Sequence, residues 1–319
     1  MFRVLDLLPD GRLEVTTADD RVAPPPAGTV RWVDLVEPDP DALACLRERF
    51  DFHPLAIDDC ASFGLQSKVD DYERYLFVVV HAFTAAVDDP LMIQVHEIHA
   101  FVGAGYLVTV HDNPFDDHER VWSLAASDRR QLERGPAWML YRQLDAMVAA
   151  AEPLVLALRE RLDDLETEVI EQRGRPDLSQ VFRIRRSMVA MRRVIRPLRD
   201  TVTSLHRRTD DRIPARVALH FRDVADHVGR LTELVEEIRE VTIGVTAAYQ
   251  AVEAARANEI IKRLTIFSAV FLPLSFIVGF FGQNFDHLPH DSDLWLGLML
   301  ASLVVVPAGL LEWFRRNWL

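Results

Sequence analysis

A stripe of small and polar residues runs through an apolar segment near the end of the chain. Bulky residues such as Phe267, Phe271 and Phe276 fall between its members. A period of about 3.5 residues keeps one helix face toward a shared axis, where hydroxyl and carboxamide oxygens could line a wet pore. Close helix packing is the other interpretation, because Ser275-x-x-x-Gly279 is a small-xxx-small contact, and the stripe fits both equally. Its members are Asn258, Ile261, Thr265, Ser268, Leu272, Ser275, Gly279 and Gly282.

The stripe begins just before the first of two long uncharged segments, 264–281 and 294–311, and runs through it. Each segment reaches the lower length limit for a membrane-spanning helix, ~17 residues. The loop between them has no Lys or Arg, and positive residues stay on the cytoplasmic side. The sequence therefore predicts a multi-pass protein of the cell (inner) membrane, with helices at about 264–281 and 294–314, an external loop at 282–293 and both termini cytoplasmic. The basic residues that flank the two segments are Lys262, Arg263, Arg315 and Arg316.

Composition excludes several classes of function. The 319 residues carry a formal net charge of −13, which disfavours a nucleic-acid partner because phosphate binding needs a basic surface. The only cysteines, Cys45 and Cys60, form no CxxC pair or Cys/His cluster, which argues against a disulfide frame and a structural zinc site. Neither a phosphate-binding GxxxxGK[ST] loop nor a GxSxG nucleophile motif is present. We therefore expect neither an enzyme nor an organic cofactor.

The whole chain is predicted to have three parts, 1–135, 136–263 and 264–319. The first is a cytoplasmic α/β domain with β-rich runs at 2–8, 13–17, 30–36, 75–83 and 94–110, the last split into a hairpin by two glycines, and helices at 39–50 and 54–62. The second is a helical hairpin, 136–172 and 177–208, followed by a very long stalk helix from 215 that continues into the first membrane helix. The third holds the two membrane helices.

Charged side chains suggest how the hairpin is held together. Its first helix is rich in Asp and Glu and its second in Arg, so we expect ion pairs between them across the short turn. The arginines are Arg183, Arg185, Arg186, Arg192, Arg193, Arg196 and Arg199. Three histidines in strand-like runs, His81, His96 and His99, are interpreted as surface residues with a structural role.

Three segments together resemble the CorA family of magnesium and cobalt transporters, whose relatives include ZntB-type zinc transporters. Residues 258–289 resemble the family's pore helix and external loop, with Gly282-Gln283-Asn284 in place of the usual Gly-Met-Asn. Residues 220–227 (HFRDVADH) and 53–72 (HPLAIDDCASFGLQSKVDDY) resemble further family segments. The resemblance implies a funnel-shaped homopentamer in a lipid bilayer that transports Mg²⁺, and also Co²⁺.

The resemblance also implies roles for residues along the pore. Asn284 would form an outer ring of carboxamide oxygens that binds hydrated Mg²⁺, and Gly282 would let the backbone leave the helix. Polar positions that match the family's pore face are Asn258, Thr265 and Ser275. Apolar constrictions that could gate by dewetting are Ile261, Leu264 and Leu272.

A regulatory cation site is implied on the cytoplasmic side. Asp59 and Asp223 align with the family's sensing carboxylates, and Asp58 and Asp226 lie close by in the sequence. Facing carboxylates of adjacent subunits repel unless Mg²⁺ bridges them, so loss of the ion would favour opening. The simpler interpretation of Asp58 and Asp59 is a pair of solvated or capping carboxylates.

Two departures from the family pattern keep other functions open. Gln283 replaces the family's methionine, and the external loop contains His287 and His290, a residue type that suits Zn²⁺ better than Mg²⁺. A zinc or broad transition-metal transporter on the same scaffold is therefore one alternative. A membrane-tethered regulatory module that does not conduct is another.

Overall fold

Alternating apolar residues in the first third of the chain build one mixed sheet. In the described residues, which are 2–17, 21–171, 176–283 and 292–317, the strand order is β2-β1-β3-β7-β6-β5-β4. Only β3 and β7 pair in parallel, and the other neighbours are antiparallel. The strands are β1 (Phe2–Leu7), β2 (Leu13–Thr16), β3 (Val30–Val36), β4 (Lys68–Asp71), β5 (Tyr75–Ala86), β6 (Asp89–Gly103) and β7 (Tyr106–His111).

Helices follow the predicted starts and stops closely. Asp39 accepts a hydrogen bond from the Ala42 N–H at 2.7 Å and so caps the first helix. Asp177 caps the fifth helix through the Ser179 N–H at 3.0 Å, as expected. The helices are α1 (Pro40–Phe50), α2 (Pro54–Ala61), α3 (Asp116–Ser127), α4 (Pro136–Ile170), α5 (Leu178–His206), α6 (Ala215–Phe281) and α7 (Asp293–Asn317).

The two faces of the sheet carry different side chains. On one face, buried residues of the strands pack against α1, α2 and the aromatic Phe52, whose ring lies 3.9 Å from that of Phe101 and 5.0 Å from that of Phe50. On the other face, Trp32 contacts Trp122 of α3 at a ring separation of 4.8 Å. Because side chains alternate along a strand, polar residues two positions from Trp32 also face α3.

Two predictions about charged and polar side chains are wrong. Arg192 and Arg196 pair with Glu236 of α6, at 2.6 and 3.1 Å, rather than with the acidic residues of α4. Arg183 pairs with Asp89 at the start of β6 at 3.0 Å. The arginine face of α5 thus turns toward α6 and the sheet, a direction that charge composition alone does not fix.

The histidines of β5 and β6 also differ from their expected surface positions. His81 is 2% exposed and His99 is fully buried. His99 Nε2 lies 2.6 Å from Glu97 Oε1, and Glu97 Oε2 accepts the Gly64 and Leu65 N–H groups at 2.6 and 2.9 Å. These residues therefore form a buried polar network inside the sheet.

The chain divides into two units, Met1–Thr246 and Ala247–Leu319. The second contains the end of α6 and all of α7, and both helices are long and apolar enough to cross a membrane. Half-buried residues recur on one face of α6, among them Ile266, Val270 and Ile277. On this face Phe281 contacts Trp295 of α7 at a ring separation of 5.1 Å. The predicted pair of C-terminal apolar helices is confirmed, while the three-part domain boundaries stay a prediction.

Candidate pore-lining and metal-binding residues

The small and polar stripe occupies one exposed face of α6. In a single chain its members and Leu264 are exposed, except for the half-buried Ser268. Three of these exposed residues are large and apolar: Ile261, Leu264 and Leu272, with exposed fractions of 59%, 63% and 69%. Contiguous apolar exposure of this kind marks a surface that lipid or another protein chain covers.

Thr265 shows what the hydroxyls of this face can offer a cation. Its Oγ1 donates a hydrogen bond to the Ile261 carbonyl oxygen at 2.8 Å, within its own helix. The proton is thus directed into the backbone, and the oxygen lone pairs are left for an outside partner. Such an oxygen can accept hydrogen bonds from the water shell of a cation, or contact the cation directly.

The end of α6 is tightly built. The helix ends at Phe281, and the Gly282 N–H donates to the Val278 carbonyl oxygen at 2.9 Å. A Cβ atom at Gly282 would lie 3.0 Å from that same oxygen, so a larger residue would require the Val278 carbonyl to shift by a few tenths of an ångström. Gln283 is exposed. The predicted filter residue Asn284 and the loop residues His287 and His290 lie outside the described residues.

Two predicted regulatory carboxylates stand in the last turn of α2. Asp58 is exposed, and Asp59 is half-buried beside Lys68, whose Nζ lies 2.7 Å from Asp59 Oδ2 and 2.7 Å from Asp70 Oδ2. Burial lowers the pKa of Lys68, but hydrogen bonds to Asp59 and Asp70 outweigh burial and raise it. The end of α2 has no basic residue in its last turn, although a helix C-terminus favours positive charge. This end of the helix therefore attracts cations.

The other two predicted regulatory carboxylates, Asp223 and Asp226, are exposed on α6. Burial and the negative charges of Asp145 and Asp223 raise the pKa of Tyr141. In a single chain the four carboxylates do not assemble into a three-ligand cluster, and the only such group among the described residues lies elsewhere.

That group, Asp34, His111 and His118, was not found by sequence reasoning. Asp34 Oδ1 lies 3.2 Å from His111 Nε2 and 2.9 Å from His118 Nε2, and all three side chains are fully buried. Burial would raise the pKa of Asp34, but the two imidazoles lower it well below its usual value. No motif could reveal the group, because β3, β7 and α3 bring together residues that are far apart in the chain.

An ion-pair cluster ties the edge strand β4 to the turn before α6. Arg208 and Arg212 donate to the carboxylate of Asp71, each at 2.5 Å, and Arg212 also donates to Asp210 at 2.6 Å. Hydrogen bonds from Arg212 are the main reason why the pKa of Asp71 falls well below its usual value. The edge strand next to the predicted regulatory carboxylates of α2 is thereby fixed to the base of α6.

Comparison with known proteins reveals matches over most of the chain. A family model described as "CorA-like Mg2+ transporter protein" matches residues 27–316. YfjQ of Bacillus subtilis, named as a candidate metal ion transporter, is 32% identical over 90% of this chain and 89% of its own length. The cobalt/magnesium transport protein CorA of Thermotoga maritima is 28% identical over 88% of this chain and 80% of its own.

A zinc transporter and a solved structure are also similar. The zinc transport protein ZntB of Klebsiella pneumoniae is 28% identical, over 58% of this chain and 57% of its own. The complete structure of the CorA magnesium transporter from Methanocaldococcus jannaschii superposes with a TM-score of 0.85 at 18% identity, over 99% of this chain and 98% of that one. This superposition shows a shared fold.

Proposed function

The chain belongs to the CorA family of divalent metal-ion transporters, and from this premise we propose that it transports Mg²⁺, and also Co²⁺, through a pore formed by α6 of five copies. The single observation that carries the proposal is the polar and small-residue face of α6, which is exposed in one chain. Two membrane helices per chain cannot enclose a channel, so a pore of this kind needs several copies around one axis. Packing these copies would cover the exposed Ile261, Leu264 and Leu272.

The chemistry of this face suits a hydrated divalent ion. Mg²⁺ dehydrates reluctantly and keeps several of its waters. Neutral oxygens, such as those of Asn284 and Thr265, can bind the water shell without trapping the ion as a carboxylate would. We propose that Asn284 forms the outer ring, with Gly282 and Gln283 setting its position, and that Asn258, Ser268 and Ser275 line the path with Thr265.

Apolar side chains on the same face would close the proposed pore. Ile261, Leu264 and Leu272 would form narrow apolar rings when five helices surround the axis. A ring of this kind excludes water when it is narrow and conducts when it widens. A small outward movement of α6 would therefore be enough to open the pathway.

Cytoplasmic Mg²⁺ would hold the ring of subunits closed. The donor set fits this ion, because carboxylate oxygens are the ligands that Mg²⁺ takes from proteins. Asp58 and Asp59 at the negative end of α2 would face Asp223 and Asp226 of a neighbouring copy. Binding then screens repulsion between subunits, and loss of the ion releases it.

Zinc transport is the second candidate function. It is favoured by Gln283 at the position of the family's methionine and by the similarity to ZntB. His287 and His290 in the external loop would supply nitrogen ligands, which suit Zn²⁺ better than Mg²⁺. Comparing Mg²⁺ and Zn²⁺ fluxes, with and without a pH gradient, separates the two candidates.

The test is ion uptake into liposomes that contain the purified chain. A Mg²⁺-sensitive dye reports uptake under a negative-inside potential, and wild type is compared with Asn284→Ala. The matched control is Asn317→Ala, which removes a carboxamide at the other end of the membrane helices. Uptake that is lost in Asn284→Ala and kept in Asn317→Ala supports the proposal. Uptake of Zn²⁺ alone favours the second candidate, and no flux of either ion leaves a non-conducting regulatory module.

A further inference from the structure

The buried group of Asp34, His111 and His118 has the geometry of a metal site. Its three elements are β3, the last residue of β7 and the first turn of α3. The ligand atoms all lie within 4.8 Å of one another. In a tetrahedral zinc site with bond lengths of ~2.0–2.1 Å, neighbouring ligand atoms lie about 3.3 Å apart. The separations between Asp34 Oδ1 and the two imidazole nitrogens are similar, at 3.2 Å for His111 and 2.9 Å for His118.

His111 points a ring nitrogen at a carboxylate oxygen. Its Nδ1 lies 2.7 Å from the Asn113 carbonyl oxygen, which can only accept, so Nδ1 carries a proton. In the neutral ring the Nε2 lone pair then faces Asp34 Oδ1 at 3.2 Å, and the two lone pairs repel unless a proton or a metal ion lies between them. An Nδ1–H held by a backbone carbonyl is also the arrangement that orients metal-bound histidines.

His118 is buried without a partner. Its exposed fraction is 0%, and neither of its ring nitrogens makes a hydrogen bond within the described part of the chain. Leaving a buried polar group unpaired destabilises the fold, because the group loses its hydrogen bonds to water and gains none in return. The Nε2 atom lies 2.9 Å from Asp34 Oδ1 and yet makes no hydrogen bond to it. A shared metal ion would satisfy this nitrogen together with that of His111.

The charges around Asp34 leave room for a cation. Arg3 binds Asp34 Oδ2 at 2.6 Å and also binds Glu119 at 2.7 Å, so one positive charge is divided between two carboxylates. Oδ1 lies on the other side of the Asp34 carboxylate, where, among the described residues, the Thr109 hydroxyl and the two imidazoles approach it. With both imidazoles neutral, the group therefore has a surplus of one negative charge.

From these observations we propose that Asp34, His111 and His118 bind one transition-metal ion of the Zn²⁺ class, which joins β3, β7 and α3. Two imidazole nitrogens select Zn²⁺ or Co²⁺ over Mg²⁺. The site shares no residue with the proposed pore or with the proposed regulatory carboxylates. It also departs from the expectation that the chain lacks structural zinc, because its ligands share no local motif. Full burial implies that the ion enters during folding and then exchanges slowly.

Cobalt provides a direct test on the full chain. The protein is produced without a histidine tag in medium supplemented with Co²⁺, purified and washed with EDTA. A four-coordinate Co²⁺ with imidazole ligands absorbs visible light strongly, whereas six-coordinate Co²⁺ among oxygens in a pore absorbs weakly. We expect about one retained cobalt per chain and a strong visible band. Excess Mg²⁺ should leave the band unchanged, and growth with Zn²⁺ should abolish it.

Variants identify the ligands. His118→Gln should lose both the band and the retained ion, whereas the matched control His96→Gln should keep them, because His96 bonds to Thr84 outside the group. If His118→Gln does not fold, X-ray absorption at the zinc edge of the wild type decides instead. Two imidazole ligands support the proposal, and an all-oxygen shell overturns it. The proposal is also overturned if the wild-type protein retains neither Co²⁺ nor Zn²⁺. In that case protons, rather than a metal ion, lie between Asp34 and the two histidines.

Discussion

Lys68 is a cation that the chain itself supplies to a proposed regulatory carboxylate. Its ammonium group lies between Asp59 and Asp70, at 2.7 Å from each. A divalent ion that binds Asp59 must share that carboxylate with Lys68 or displace it. The affinity of the proposed regulatory site would therefore depend on a side chain that is not among its proposed metal ligands.

Replacing Lys68 should make the transporter more sensitive to cytoplasmic Mg²⁺. A partly exposed ion pair is worth about 0.2–1 kcal/mol, so Lys68→Gln should lower the Mg²⁺ concentration for half-maximal closure by up to about fivefold. Flux from liposomes with buffered Mg²⁺ on the cytoplasmic side measures this. Arg74→Gln removes the same charge from a nearby exposed pair with Asp51 and should change little. An unchanged Lys68→Gln response would argue against Asp59 as a regulatory ligand.

The environment of Glu97 predicts how the stability of the fold depends on pH. Burial would raise its pKa, but the hydrogen bonds from His99 and the Gly64 backbone, together with the nearby imidazole of His81, lower it to about 2. A carboxylate with a depressed pKa stabilises the fold fully above its unfolded pKa of about 4.3, and this contribution is lost as pH falls toward 2. The free energy involved is on the order of 3 kcal/mol.

Glu97→Gln should therefore lower the thermal midpoint of the full chain at pH 7. The difference from wild type should shrink as the pH is lowered from 4.5 toward 2, because the wild-type carboxylate becomes protonated. Glu48→Gln, an exposed change on α1, serves as the control and should match wild type throughout. A difference that stays constant with pH would show that the network does not depend on the charge of Glu97.

Among the helices and strands, the contact between β4 and the start of α6 depends on few side chains. Arg212 is 13% exposed and contacts both Asp71 and Asp210. Hydrogen bonds to charged groups contribute about 1.5–3 kcal/mol, and partial exposure reduces this. We expect Arg212→Ala to destabilise the chain by about 1–2 kcal/mol in thermal or denaturant unfolding.

Arg130→Ala is the matched control, because Arg130 makes a similar but exposed pair with Asp128 at 2.8 Å. Its effect on unfolding should stay below about 0.5 kcal/mol. An equal loss of unfolding free energy in the two variants would mean that the cluster around Asp71 stabilises the fold no more than an ordinary surface ion pair.

The sequence predicted the elements well wherever a long periodic pattern or a cap marked them. The whole of α6, the hairpin of β6 and β7 and the cap at Asp177 are of this kind. The strand β4 was missed because its four residues, KVDD, are short and polar, and its pairing with β5 is decided in space. The partners of Arg183 and Arg192 were wrong for a similar reason, since composition gives the charge of a helix face but not its direction.

Some candidate site residues could be predicted from a local sequence pattern, whereas others are brought together only by the fold. The stripe on α6 is a local pattern, so its residues could be chosen from spacing alone. Asp34 and His118 lie 84 positions apart, and only the parallel pairing of β3 with β7 and the packing of α3 bring them together. Their chemistry could not be predicted without the fold.

For the whole molecule, the orientation in the membrane is a prediction that labelling can test. In a chain with Cys45 and Cys60 replaced, single cysteines at Val87, Asp293 and Asn317 provide three reporters. Val87 is 98% exposed in the turn between β5 and β6. A membrane-impermeant maleimide should label Asp293→Cys from outside intact cells, and the other two only in inside-out vesicles. Labelling of Val87→Cys in intact cells would reverse the proposed orientation.

The position of the apolar segments after the sheet has a consequence for biogenesis. The strand β7, which completes the sheet, ends at His111, whereas the first membrane segment begins about 150 residues later. Translation at ~5–20 residues per second takes roughly 8–30 s over that interval, longer than the milliseconds to seconds in which small sheets fold. The nascent sheet can thus fold before the first of these two apolar segments emerges from the ribosome. A folded domain cannot be threaded through a translocon, so the order of synthesis itself would keep it on the ribosome's side of the membrane.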